Sequence, residues 1–269
     1  MKKTLISLLV AGALVLTINQ NADAGGKKDA PDSSLTIGAT PTPHGELLEL
    51  IKDDLALAGY TLKVVIYNDY VQPNEALIAG DLDANYFQHI PYLESNDAWT
   101  KALGNAFGVH VEPLGLYSNK FKSAADLPSG ATVAIANDPS NGGRGLLLLQ
   151  ANGILTLRQG AGLSATVQDI ASNPKNLQFR ELDAAQLPRA LGDADAVVIN
   201  GNYALDAGLN PVKDSLILEG ADSPYVNIVV VKKGNENAPK IQALKQALLS
   251  QKIKDYINNK WNGSVVATF

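Results

Sequence analysis

Apolar positions in this chain follow two rhythms, short runs of β-type residues and longer stretches with helical spacing, and the two alternate. The run 35–40 (LTIGAT) predicts a first strand, which Pro41 and Pro43 break. Leu47, Leu48, Ile51 and Leu55 then recur as one face of a helix over about 44–58, with Gly59 at its C-terminal cap. Residues 61–67 predict the next strand, a short helix from about Asn74 ends at Gly80, and strand-like pieces fall at 85–87 and 109–117. From Ala131 the pattern begins again, with a strand at 132–136, a turn-forming loop at 137–143 and an apolar helix at 144–152 closed by Gly153. Further strands are expected at 177–182, 196–199, 216–219 and 227–232. A single long helix is expected over 239–261, with Ile241, Leu244, Leu248, Ile257 and Trp261 near one face. This alternation predicts an α/β fold with largely parallel sheets.

Two successive α/β units in 269 residues predict two lobes rather than one large sheet. Residues 35–117 plus 227–269 are expected to form the first lobe and 118–226 the second. Crossover segments near 117–122 and 223–227 then make a hinge, with a cleft between the lobes that suits a small ligand.

Lys2 and Lys3, the apolar run 5–18 and Ala22-Asp23-Ala24 have the order of a secretory signal peptide over 1–24. That run is shorter than the ~20 residues that span a bilayer. Residues 25–34, rich in Gly, Lys, Asp, Pro and Ser, read as a flexible leader. The mature protein is therefore expected to be soluble and outside the cytoplasm. A net charge of −5 without a basic stripe argues against nucleic acid as a partner. The chain has no cysteine, so disulfides, thiolate metal sites and a cysteine nucleophile are excluded.

Three segments could carry chemistry. In Asn137-Asp138-Pro139-Ser140-Asn141-Gly142-Gly143-Arg144, a helix N-terminus offers free N–H groups to an anion. Arg144, read here in the first helical turn, opposes the helix dipole. Either a ligand carboxylate compensates it or a nearby acid or water does. The second segment, 85–93 with Tyr67, Asp69 and Tyr70 upstream, concentrates rings in a chain that is only 6% aromatic. It is either a pocket wall or ordinary core with His89 as a satisfied histidine. The third comprises Asn200, Asn202 and Tyr203 after a β-run, and 223–227 at the second crossover; these asparagines either read a polar ligand or serve turns and caps. His44, His89 and His110 show no metal-ligand spacing, and phosphate-loop, dinucleotide and nucleophile-elbow motifs are absent. Neither an enzyme nor a cofactor is indicated.

Several of these stretches together resemble the NlpA lipoprotein family, the methionine-binding components of methionine ABC importers. They are 68–77 (NDYVQPNEAL), 83–89 (DANYFQH), 137–144 (NDPSNGGR), 146–150, 186–189, 198–200 and 223–227 (SPYVN), in order over nearly all of the chain from Leu35. The resemblance implies a two-lobed periplasmic-binding-protein fold with the ligand, methionine in L- or D-form, in the cleft and an importer's membrane subunits as partner. Carried over position by position, it implies Arg144 as the carboxylate clamp with Asn141 beside it, and Asn200 and Asn227 at the ligand's polar ends. Tyr70, Phe87, His89 and Tyr92 become the wall around the thioether. Family members are tethered through a cysteine at the signal-peptide junction. This sequence has none, so it is expected to be a monomer free of that anchor, in the periplasm or at the cell surface.

Other functions make different demands. A methionine-containing dipeptide or another apolar amino acid would need altered pocket geometry. A hydrolase on the same scaffold would need a nucleophile or metal, and a surface adhesin would not need Arg144, Asn200 and Asn227 intact.

Overall fold

The computed structural model describes residues 33–220 and 223–269. The signal-peptide reading over 1–24, and all but the end of the leader, lie outside the described residues. Among the described residues no helix is long and apolar enough to cross a membrane.

Two sheets organise the chain. The first has six strands, in spatial order Val266–Ala267, Leu103–Val111, Val226–Lys232, Ala84–His89, Ser34–Ala39 and Thr61–Ile66. The second has five: Ile217–Leu218, Gly115–Tyr117, Ala196–Ile199, Thr132–Ala136 and Gln178–Leu182. Within each, the strands joined through helices are parallel, as Ser34–Ala39 is to both of its neighbours and Thr132–Ala136 to both of its own. Strands at the crossings run antiparallel: Val226–Lys232 against two partners, and Gly115–Tyr117 against two others. The sheets are thus mixed rather than largely parallel, because a strand that arrives from the other sheet enters without a helical crossover to reverse its direction.

The apolar run 109–117 does not make one strand. It divides into Leu103–Val111 in the first sheet and Gly115–Tyr117 in the second. Pro113, between them, has no N–H to give to either ladder. The chain returns between Ile217–Leu218 and Val226–Lys232. Two other expectations also change. The helix expected over 44–58 is interrupted at Ile51 into Glu46–Leu50 and Lys52–Leu57. The long terminal helix breaks at Leu249 and Ser250, the latter extended (φ −81°, ψ 156°), into Pro239–Leu248 and Gln251–Trp261. Leu244 and Leu248 from the first piece, and Ile253, Ile257 and Trp261 from the second, bury into one core with Leu35, Ile37, Leu47 and Leu55. Burying each such side chain contributes about 1.5–3 kcal/mol. A separate core under the second sheet joins Val133, Ile135, Leu146, Leu149 and Val198.

The helix after Thr132–Ala136 begins five residues before the position expected, at Pro139, and runs to Ala151. Asp138 is its N-cap, accepting the Asn141 N–H at 2.8 Å, and Pro139 fits the first turn, where no N–H is needed. Gly142 and Gly143 therefore lie inside the helix and not in a loop. A Cβ on Gly143 would stand 2.2 Å from the Leu163 carbonyl oxygen, so the helix can pack this closely only with glycine there.

Candidate functional site

A cavity of about 310 Å³ lies where the carboxyl ends of parallel strands from both sheets converge, the usual position for a ligand site in α/β proteins. Asn141, Arg144, Asn200, Asn227, Tyr70, Phe87, His89 and Tyr92 all line it. Gln88, Glu112, Gly201 and Asn202 line it as well. Sheet register explains part of this convergence, since Asn227 pairs with His89 on one side and His110 on the other.

Arg144 is 3% exposed and lies in the second helical turn, not the first. Its compensating partner is an acid from the return crossing. Nε donates to Glu219 Oε1 at 3.1 Å and Nη2 to Glu219 Oε2. Nη2 also donates to the Glu112 backbone oxygen at 2.8 Å, and the guanidinium lies 4.3 Å above the Tyr225 ring. Such a bidentate, stacked guanidinium is held rigidly.

The asparagines form a chain of amides with assigned directions. Asn141 Nδ2 donates to both Asp138 oxygens, and its Oδ1 accepts from Asn200 Nδ2 at 2.7 Å and His89 Nε2 at 3.2 Å. Asn141 is thereby fully engaged by the protein. Asn200 has spent its amine and keeps Oδ1 as an acceptor. Asn227 is oriented the other way, its Oδ1 accepting from His44 Nε2 at 3.1 Å, which leaves its amine as a donor. In Asn202, Oδ1 accepts the Tyr70 hydroxyl at 2.6 Å, while buried Nδ2 has no partner among the described residues. A buried orphan donor facing a cavity calls for an acceptor from a ligand or water.

Opposite these polar groups stands a box of rings. Tyr70 is 5.9 Å from Phe87, 5.7 Å from Tyr92 and stacked 4.8 Å from Tyr203, centroid to centroid. Tyr92 donates its hydroxyl to the Tyr70 backbone oxygen at 3.1 Å. His89 is both a satisfied histidine and a cavity wall. Its Nδ1 accepts the Tyr92 N–H at 3.2 Å, and burial, with the Arg144 charge next, lowers its pKa to about 3. It is neutral and holds its Nε2 proton toward Asn141.

His44 and His110 share no sequence signal, yet the fold sets their rings 5.1 Å apart beside the cavity, with Glu112. His110 Nε2 lies 2.8 Å from Glu112 Oε1, and His44 Nε2 lies 3.3 Å from the same atom. Their Nδ1 atoms meet the Tyr86 hydroxyl at 2.5 Å and the Thr40 hydroxyl at 2.8 Å. These three side chains could present a metal ion with donor atoms within 4.8 Å of one another. Hydrogen bonds already account for every proton: each hydroxyl donates to Nδ1, and each Nε2–H points to an oxygen. Burial lowers His44 to about 4 and His110 to about 3, so both rings are neutral, and burial raises Glu112. No serine, threonine or cysteine is among the described residues that line the cavity.

Glu112, Glu219 and Asn202 were not singled out from sequence. Asn202 lies in the stretch 199–203 that drew attention, but Glu112 and Glu219 matter only because the two crossings bring them to Arg144.

The family model described as NlpA lipoprotein matches residues 35–269 of this chain. The methionine-binding lipoprotein MetQ of Bacillus subtilis strain 168 is 42% identical over 275 residues, covering 99% of this chain and 98% of that protein. A solved structure of a nutrient binding protein from Burkholderia cenocepacia bound to methionine is 47% identical, with a TM-score of 0.84 over 87% of this chain and 100% of that one. An ABC transporter periplasmic substrate-binding protein from Coxiella burnetii is 39% identical, with a TM-score of 0.83 over 87% and 100%.

Proposed function

The chain belongs to the NlpA lipoprotein family, and from that premise we propose that it is an exported solute-binding protein capturing methionine for an ABC importer. It acts by binding and release as a monomer, without chemistry of its own. The lobes are built on the two sheets, and the crossings at 112–114 and 219–225 serve as the hinge. The observation that carries the reading is one cavity with a fixed guanidinium at one end and a box of rings at the other.

Arg144 takes the ligand carboxylate, helped by the free amines of Asn227 and Asn202. Asn200 offers an acceptor to the amino end, and Asn141 holds Asn200 and His89 in place. Tyr70, Phe87, His89 and Tyr92 surround the side chain, where each ring–sulfur contact is worth about 0.3–1.5 kcal/mol. A volume near 310 Å³ is at the small end for ligand sites and suits one amino acid. The relatives' names and the methionine-bound neighbour point to the same ligand.

The test is calorimetry on protein refolded to strip bound ligand, titrated with L-methionine, D-methionine, glycyl-methionine and leucine. Selective binding of methionine supports the proposal. Preference for the dipeptide transfers the reading to a peptide binder, and a flat panel removes it.

A further inference from the structure

We propose that the Glu112 carboxylate receives the ligand's α-ammonium and makes the site selective for a free, unblocked amine. The inference rests on the amino-acid reading above and names the chemical feature that reading leaves open.

Charge balance is the first support. Glu112 is 4% exposed and lines the cavity, yet among the described residues no lysine or arginine makes an ion pair with its carboxylate. Its neighbours are His110 and His44, whose Nδ1 atoms are occupied by the Tyr86 and Thr40 hydroxyls. Both rings supply dipoles and no positive charge. Arg144 is the nearby cation, and Glu219 already holds it through a bidentate pair. Arg144, Glu219 and Glu112 therefore sum to one negative charge in a place shielded from water. A buried carboxylate without a counter-charge is costly. The cation that completes the site has to arrive with the ligand.

Placement is the second. Arg144 Nη2 donates to the backbone oxygen of Glu112 itself, so the guanidinium and the carboxylate belong to touching groups. An α-amino acid carries its two charges on one carbon and can meet both at once. The carboxylate cannot easily move away, because the Gly201 backbone packs against it. A Cβ on Gly201 would lie 2.8 Å from Glu112 Cβ and 3.2 Å from Oε2. Two imidazole N–H groups hold Oε1 from the other side.

The experiment is calorimetric titration of the refolded full chain with L-methionine, its des-amino analogue 4-(methylthio)butanoate, and N-acetyl-L-methionine. The wild type should bind methionine at least about tenfold tighter than either analogue, the expected size for a hydrogen bond between charged groups. Glu112→Gln should weaken methionine at least about tenfold and leave the des-amino analogue within about threefold, so that the preference collapses. Wild-type protein that binds either analogue within about threefold of methionine overturns the proposal, and this comparison needs no folded variant. A Glu112→Gln protein that keeps the full preference overturns it as well. If the wild type binds none of the three compounds, the amino-acid reading fails first and this inference falls with it.

Discussion

Arg144 shows how a single side chain depends on partners far along the chain. Its guanidinium is buried, paired with Glu219 and laid on Tyr225, so it is oriented before any ligand arrives. Arg144→Ala should weaken methionine binding by about 2–5 kcal/mol, the range for truncating one partner of a buried charge pair. Calorimetry that finds less than about a tenfold change would place the ligand carboxylate elsewhere. Tyr70→Phe keeps the ring wall but takes the hydroxyl from Asn202 Oδ1. A loss of about 1–3 kcal/mol in binding or stability is expected from the unsatisfied amide. Equal affinity and equal urea midpoints for the two proteins would show that the Tyr70 hydroxyl contributes nothing.

The element that organises the polar end is the helix Pro139–Ala151. Its cap, Asp138, binds the Asn141 backbone and side chain together, linking helix start to ligand site. Asp138→Ala should cost about 0.5–2 kcal/mol of stability and also weaken the ligand, because Asn141 then loses the partner that orients it. An affinity unchanged while stability falls would separate the two roles. Gly143→Ala forces a Cβ into the Leu163 carbonyl, so a destabilisation of about 1–3 kcal/mol in urea denaturation is expected. Motif spacing marked 137–144 as special but misassigned its glycines to a loop. The tight packing that requires them involves residues 163–165, which no local pattern connects to this helix.

At the scale of the molecule, ligand and pH both act on folding. Methionine at 100 times Kd should add about 2.7 kcal/mol, about 5–11 °C in Tm at this size. His44, His89 and His110 are buried neutral, with pKa values near 4, 3 and 3. In the unfolded chain they titrate near 6.5, so below that pH the unfolded state takes up protons that the folded state refuses. Stability should therefore fall as pH drops from about 6.5 toward 4, by on the order of 1–2 kcal/mol per histidine between pH 7 and pH 5. Glu112, raised by burial, acts with the opposite sign, since the folded state holds its proton to higher pH than the unfolded chain. Urea midpoints that are equal at pH 7 and pH 5 would contradict the neutral, buried state of these rings.

Local chemistry was enough to identify the alternating elements, the aromatic stretch 85–93 and the helix-start loop. Periodicity, proline, glycine and capping residues act over a few positions, and such signals can be read directly along a chain. The break at Pro113, by contrast, reads locally as one strand and becomes a crossing only when its halves find different sheets. The meeting of His44 with His110, the pairing of Arg144 with Glu219 and the exposure of Glu112 to the cavity were decided by tertiary structure. Each depends on register and on two crossings that bring residues dozens of positions apart within hydrogen-bond distance. A side chain's charge partner is set by that geometry, and spacing in the sequence does not contain it.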